Sequence, residues 1–496
     1  MNISNLFFEA ARKHPEKLAI IDSERECSFK ELADEVKKTA NYFHSKGIRK
    51  NDRVLVLVPM GLDLYRIVLA IFSMGATAVF IDEWADKNRI KQSCKIANCK
   101  GLVASKKVRL ISLLYKETRT IPIKLSVNKI STEQRPTVDM ALNNSALITF
   151  TTGSTGKPKA ADRTHEFLAI QFGILQKEIN PQQNEVDLVN LPIILFINLA
   201  AGCTSVIPNY NSKKPSKTNW SLILNQISNK KVNRVTGSPY FTIGLAEYLN
   251  ENEKKNSNIK KIFTGGGPVF SNEAKVICNA FPQSDVTIVY GASEAEPISL
   301  ISASELIHLQ ETNNRGLPVG KPHESIELKI IPINSQVSTE LSQDDFDRIC
   351  MEENEIGEIV VSGESVLHRY FNNQSDLKEL KIHSGNKIWH RTGDSGFLEK
   401  GKLFLTGRCD EIITHKDRDY SLFMIENELK QHPGIKEGTL LQKDKKYILY
   451  LELIYKTKFE KGSFEFPVDE IKIMKRIPLD PRHNTKIDYK KLREIT

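Results

Sequence analysis

Between residues 53 and 81 the chain passes from a β-branched apolar run, through a stretch of helical period, to a second β-branched run, and this order restricts the fold more than any other feature. Arg53-Val54-Leu55-Val56-Leu57-Val58 reads as a buried strand. Residues 62–74 carry apolar side chains at helical spacing and end at Gly75, and Ala76-Thr77-Ala78-Val79-Phe80-Ile81 is the next strand. Strand, helix, strand is a βαβ unit, which predicts a parallel sheet covered by helices. The alternation returns at 101–104, 187–191, 234–238, 261–265 and 286–290. Ligands of open α/β sheets sit beyond the carboxyl ends of the strands, so the glycines and small polar residues ending these runs are where chemistry is expected.

A chain of 496 residues is too long for one compact core and predicts at least two domains. Residues 3–12 predict a short helix, and Ser28 with Glu31 three positions on predicts the capped start of a longer one. After residue 326 the pattern changes to short strands at 327–331 and 357–361, which predict a distorted barrel or hairpin module. Residues 334–355 read as a polar, acidic surface loop, and the lysine-rich stretch from 410 as a small mixed α/β unit.

The apolar, β-prone run 146–150 stops at Thr151-Thr152-Gly153-Ser154-Thr155-Gly156-Lys157-Pro158-Lys159. That is a strand feeding a phosphate-binding loop. Gly153 and Gly156 let the backbone turn tightly and bring N–H groups onto an anion; Thr151, Thr152, Ser154 and Thr155 add donors, and Lys157 and Lys159 add charge. It is not the G-x-x-x-x-G-K-[ST] loop, because two residues separate the glycines and a proline follows the lysine. A flexible surface loop uses the same residue types, but not directly after a buried strand and with a proline-stiffened lysine pair.

Two later strand ends are also unusual. Gly265-Gly266-Gly267-Pro268 forfeits side-chain packing and chain entropy, which makes sense where another backbone or a flat ligand comes close. Tyr290-Gly291-Ala292-Ser293-Glu294 follows the next strand, and Thr392-Gly393-Asp394 sets a carboxylate in a turn.

Composition is ordinary for a globular protein, with 40% hydrophobic and 26% charged residues. The net charge of +9 is spread along the chain, so no nucleic acid partner is expected. No apolar stretch reaches the roughly 18 residues of a membrane span, and the start lacks the features of a signal peptide, so a cytoplasmic location is expected. The seven cysteines form no C-x-x-C pair and no cluster with histidine, so neither a disulfide framework nor a zinc site is expected.

Taken in order, these motifs resemble the adenylate-forming superfamily of acyl-CoA ligases, peptide-synthetase adenylation domains and luciferases. The resemblance implies an α/β fold: a large N-terminal domain of parallel sheets layered with helices plus a small β-barrel module (1–409), and a small mobile α+β C-terminal domain (410–496). It implies ATP and Mg²⁺ as cofactors. Gly265, Gly266 and Gly267 would border the adenine, Tyr290 beside Gly291 would stack on it, Ser293 would contact phosphate, and Glu294 would hold Mg²⁺, a hard cation that takes oxygen ligands. Asp394 would accept the ribose hydroxyls, Arg408 would reach the ribose, and Asp410 would be the hinge. Lys486, in Arg482-His483-Asn484-Thr485-Lys486-Ile487, matches the lysine that joins the carboxylate oxygen and the α-phosphate as the acyl-adenylate forms. With Thr151 and Glu294 it makes the catalytic set. A lysine suits this task because charge accumulates at the phosphorus and a mobile domain can bring a point charge onto it. Two half-reactions are implied: a carboxylate expels pyrophosphate into the loop at 151–159, and the acyl-AMP meets a nucleophile after the small domain rotates.

Residues 191–202, 290–299 and 481–487 narrow the resemblance to the β-lactone synthetases of bacterial olefin biosynthesis. Those enzymes adenylate a β-hydroxy acid whose own hydroxyl displaces AMP without coenzyme A. The Lys-Gly turn that ligases carry after the hinge is replaced here by Lys416-Asp417-Arg418, which fits an enzyme not built for thiol capture. Ala160 and Asp162 also depart from the family pattern. The acyl pocket is expected near Phe196, Asn198, Gly237 and Gly265, and the apolar run 193–201 favours an aliphatic small-molecule carboxylic acid. Pathway partners would be thiolase-like and reductase enzymes. The competing readings are a fatty acyl-CoA or fatty acyl-AMP ligase, a stand-alone peptide-synthetase-type enzyme, and a non-catalytic nucleotide binder, against which Lys486, Glu294 and Asp394 together argue.

Overall fold

The computed structural model describes all residues except 1, 82–86, 113, 153–157, 212–213, 257, 313–314, 334–338, 373–379, 417, 456, 458 and 480–486, together with all side chains but those of these residues and of Thr151, Thr152 and Lys461. The expected βαβ unit is present: strands Arg53–Leu57 and Thr77–Phe80 lie parallel, joined through the helix Leu62–Ser73. Every residue of that helix except Asp63 is buried, as for a helix enclosed on all sides.

Among the described residues this unit belongs to a six-stranded sheet in the order Ile123–Ser126, Gly101–Ala104, Arg53–Leu57, Thr77–Phe80, Ser145–Thr152, Pro158–Thr164. The first five strands are parallel and the last turns back antiparallel. A second sheet runs parallel through Leu18–Ile21, Thr204–Val206, Val186–Val189, Arg234–Gly237, Lys261–Gly265 and Asp285–Ala292. Ala295–Ser302 and Leu317–Pro322 then return antiparallel. The short strands Ile326–Ile331, Gly357–Gly363, Lys387–Glu399 and Lys402–Arg408 form the antiparallel module, which is continuous with this sheet through Leu317–Pro322. One apolar core gathers Phe29, Phe43, Tyr65 and Leu195; a second gathers Leu245, Ile262, Phe281 and Ile301.

The capping box at Ser28 and Glu31 forms as its spacing predicts. Residues 334–355 need a correction, since they are not simply a surface loop. They contain the strand Glu340–Leu341 and the helix Gln343–Ile349, whose first turn is capped by Ser342. Phe346 is fully buried and stacks on Trp389 with ring centroids 4.8 Å apart. One aromatic side chain anchors a stretch that is polar on average.

The small C-terminal domain has a sheet of its own, Ile435–Lys443 antiparallel to Lys446–Leu453 and Glu470–Met474 parallel to the latter, with the helices Leu422–Gln431 and Tyr489–Ile495. Glu426 on the first helix accepts hydrogen bonds from the hydroxyls of Tyr489 and, at 3.1 Å, Thr439. Burial pushes its carboxyl up to about 8, against the Tyr489 hydrogen bond and with help from Glu411. The folded state therefore keeps a proton that the unfolded chain releases near its usual 4.5. Stability from this group is full below that pH and is lost as pH rises toward about 8. Glu426→Gln keeps an acceptor for Tyr489 and is expected to flatten the slope, so that wild type and variant unfold alike at about pH 4 and the variant is the more stable above pH 8. Thermal unfolding across that range checks this, and equal slopes would refute it.

Candidate functional site

Strands Ser145–Thr152 and Pro158–Thr164 form a hairpin that pairs Thr151 with Lys159 and Thr152 with Pro158. The loop positions Gly153, Ser154, Thr155, Gly156 and Lys157 lie outside the described residues, as do the side chains of Thr151 and Thr152. Lys159 is buried at the root of the loop. Four positions on, Arg163 donates to Thr149 Oγ1 at 2.6 Å and to the Ser293 carbonyl at 2.7 Å, tying the hairpin to the end of Asp285–Ala292. Asp162, a departure from the family pattern, is buried and ion-paired with Arg369 at 2.8 Å. Burial raises its carboxyl, and hydrogen bonding to Ser145 and the charge of Arg369 oppose the rise.

The segment after Gly357–Gly363 stitches the same two elements together. Leu367 donates its N–H to the Glu294 carbonyl at 2.6 Å, and Phe371 donates to the Ala160 carbonyl at 2.8 Å. Val366 and Tyr370 form single bridges with Ala295 and Ala161. Ser293, Glu294 and the hairpin are thus held by one backbone frame.

The adjoining motif is held by side chains. Tyr290 donates its hydroxyl to Asp394 Oδ2 at 2.8 Å, and Arg408 donates to Asp394 Oδ1 at 2.7 Å and to the Thr392 carbonyl at 3.1 Å. Burial and the Asp394 charge hold the Tyr290 phenol well above its usual range, so it stays a donor. Asp394 and Arg408 are register partners across Lys387–Glu399 and Lys402–Arg408. The turn needs glycine at 393: φ is +69°, and a Cβ there would lie 2.6 Å from an Arg408 nitrogen. Gly265 has a comparable reason, since a Cβ would meet the Val289 carbonyl of the neighbouring strand at 2.8 Å; Gly266 takes φ +87° and leads into Gly267. Gly291 packs against Ala295, whose carbonyl would be 3.1 Å from an added Cβ. Asp410 is exposed just beyond Arg408, while Lys486 lies outside the described residues.

The acyl-pocket expectation is corrected at Asn198. Two residues apart on the helix Pro192–Ala201, Phe196 and Asn198 point to different sides. Phe196 meets Tyr65 and Phe72, with ring centroids 4.9 and 6.1 Å away. Asn198 is fully buried and donates to Asp187 at 2.8 Å and Ser205 at 3.1 Å while accepting from Arg234, so its polar atoms are committed to the protein. Gly237 ends its strand against Phe241, 2.9 Å from an added Cβ.

Beside Glu294 the structure reveals a cation that the sequence did not flag. Lys381 is buried, donates to the Leu367 carbonyl and lies 6.0 Å from the Tyr370 ring centre. Burial drives its amine down to about 7, with the Glu294 charge opposing. Its register partner His390 is also buried, and burial plus the Lys381 charge keep that imidazole neutral. In a chain with this many lysines, nothing local distinguishes Lys381.

The layered α/β fold, with this hairpin joined to a Tyr–Asp–Arg cluster, is that of an adenylate-forming ligase. Residues 7–371 match the AMP-binding enzyme family, and the chain belongs to it. It is 24% identical over 419 residues to the olefin beta-lactone synthetase of Xanthomonas campestris pv. campestris, covering 80% of this chain and 74% of that one. It is 25% identical over 454 residues to the 2-succinylbenzoate–CoA ligase of Bacillus subtilis, covering 89% and 86%. Its fold is similar to that of the O-succinylbenzoate coenzyme A synthetase of Bacillus subtilis in complex with ATP and magnesium ion, with a TM-score of 0.81 and 21% identity over 99% of both chains. Among the described residues no helix is long and apolar enough to cross a membrane.

Proposed function

We propose that this ligase activates a fatty or β-hydroxy fatty acid as its acyl-AMP and that the substrate's own hydroxyl then displaces AMP to form a β-lactone. The adenylation half of the reading is carried by Asp394, held between Tyr290 and Arg408 beside the frame that joins the phosphate hairpin to Ser293 and Glu294. Asp394 would accept the ribose hydroxyls of ATP with Arg408 beside it, and Tyr290 would present its ring to the adenine bordered by Gly265, Gly266 and Gly267. Ser293, Lys159 and the loop at 151–157 would take the phosphates. The half-exposed Glu294 carboxylate suits a hard cation and would hold Mg²⁺, which when bound draws charge from the triphosphate.

A substrate carboxylate oxygen attacks the α-phosphorus and pyrophosphate leaves. Lys486 would meet the charge that builds there, carried in by residues 410–496 turning about Asp410. In the second half-reaction the β-hydroxyl oxygen bonds to the acyl carbon, its proton is lost, and AMP departs. Two observations support an internal acceptor: the similarity to the Xanthomonas olefin beta-lactone synthetase, and the replacement of the ligases' Lys-Gly turn after the hinge by Lys416-Asp417-Arg418. The acid would then come from thiolase-like and reductase steps. The second reading, a fatty acyl-CoA ligase, is favoured by the similarity to the Bacillus 2-succinylbenzoate–CoA ligase.

The test is incubation with Mg·ATP and a racemic 2-alkyl-3-hydroxy fatty acid, with and without coenzyme A, followed by mass spectrometry. The expected result is loss of one water from the acid with AMP formed, whether or not coenzyme A is present. Product only with coenzyme A would overturn the lactone reading in favour of the acyl-CoA ligase.

A further inference from the structure

Leu110, Ile111 and Leu114 are 69%, 47% and 81% exposed, an apolar cluster gathered at one bend of the chain. They stand on the helix Lys106–Ser112 and the turn after it. The Leu114 N–H donates to the Ile111 carbonyl at 3.0 Å, and the buried Thr118 hydroxyl donates to the carbonyl of the buried Ser112. The helix and its successor Lys116–Arg119 thus form an elbow with its polar anchors inside and the three apolar side chains outside. Lys106, Lys107, Lys116 and Arg119 are exposed around it and Arg109 is half-buried, while Glu117 is the one acid between residues 105 and 120.

We propose that this elbow docks the enzyme on an anionic lipid surface, with Leu110, Ile111 and Leu114 entering the acyl region and the basic side chains facing the headgroups. Charge complementarity selects this occupant. A second copy of the chain would bring the same five cations against themselves, and a nucleic acid would leave the apolar tip in water. Apolar side chains ringed by lysine and arginine are the composition that lies in a membrane interface.

The position fits a water-poor substrate. The elbow follows Gly101–Ala104 at its carboxyl end, the edge of the sheet at which Ser145–Thr152 enters the phosphate loop. Gly101–Ala104, Arg53–Leu57, Thr77–Phe80 and Ser145–Thr152 are successive parallel neighbours. Three strand spacings, about 14 Å, separate the strand that leads into the elbow from Ser145–Thr152. A bilayer docked there lies beside the edge where the acid would react.

The docking does not depend on which acid is activated, and its test does not use turnover. The full chain would be sedimented with vesicles of phosphatidylcholine alone and of phosphatidylcholine mixed with phosphatidylglycerol. Wild type is expected to partition onto the mixed vesicles at least about tenfold better than onto the neutral ones. Leu110→Ser/Leu114→Ser and Lys106→Glu/Lys107→Glu/Lys116→Glu should each lose about tenfold or more of that partition with unchanged thermal midpoints, since every altered side chain is exposed. Equal partition of wild type onto both vesicles, or of either variant and wild type, would overturn the proposal. So would a dimer seen by light scattering that the leucine variant abolishes, which would give the patch to a second copy.

Discussion

Lys486→Ala is expected to lower acyl-AMP formation by at least about 10²-fold while leaving ATP affinity within a few-fold of wild type, because its charge is useful only when the α-phosphorus carries extra negative charge. Ground-state binding of the nucleotide would rest on Asp394, Arg408 and the phosphate hairpin, all remote in sequence from the lysine. The residues just beyond the lysine are anchored. Ile487 is buried and bridges Leu479, the Asp488 N–H donates to the Pro478 carbonyl at 2.9 Å, and Tyr489 is tied to Glu426. The substitution should therefore leave the C-terminal domain folded. Lys486→Arg keeps the charge but spreads it over a planar group, so it should recover only part of the rate. Pyrophosphate release under single-turnover conditions reads the chemical step, and calorimetry with ATP reads binding. An unchanged rate in the alanine variant would remove Lys486 from the mechanism.

The parallel strands were legible because strands buried on both faces read as continuous β-branched runs, and Arg53–Leu57 and Lys261–Gly265 do so almost to the residue. The turn carboxylate at Asp394 was legible as a motif, but its clasp by Tyr290 joins residues 104 positions apart and leaves no local trace. The same holds for Arg163 and the Ser293 carbonyl, 130 positions apart, and for Asp162 with Arg369. Periodicity marks burial and does not say what lies opposite. The apolar run 193–201 pointed to an aliphatic pocket near Phe196 and Asn198, but it did not show that the run is a helix whose Asn198 side faces a polar network. Composition misled at 343–349, where acidic residues outnumber apolar ones but Phe346, with Ile349 beside it, fixes the helix to the core around Trp389.

That polar network makes Arg234→Leu the largest expected stability change. Arg234 and Asp187 are both fully buried. The guanidinium donates to Glu185 at 2.6 Å, to Asp187 at 3.1 Å and to Asn198; Thr236 donates to Asp187 at 3.0 Å, and Lys261 pairs with Glu185 at 2.8 Å. Burial works against the charge on Arg234, and the carboxylates outweigh it, so the guanidinium stays ionised. Leucine fills part of the space but leaves the Asp187 carboxylate buried with neutral donors only. A buried charge stripped of its partner costs about 3–5 kcal/mol, much of the stability of an ordinary domain. Adding Asp187→Asn removes the stranded charge and should recover part of the loss, a coupling that unfolding of the single and double variants in urea would measure. Two exposed charges would show neither the loss nor the recovery, so a cost below about 1 kcal/mol would mean that this pair is not buried as described. The network also pins Val186–Val189 to Arg234–Gly237 and, through Asn198, holds the helix carrying Phe196 against both. If Phe196 lines the acyl pocket as proposed, residues that cannot touch the acid would in this way set the wall it packs on, and the Arg234 variant should lose discrimination between acyl chain lengths before it loses adenylation.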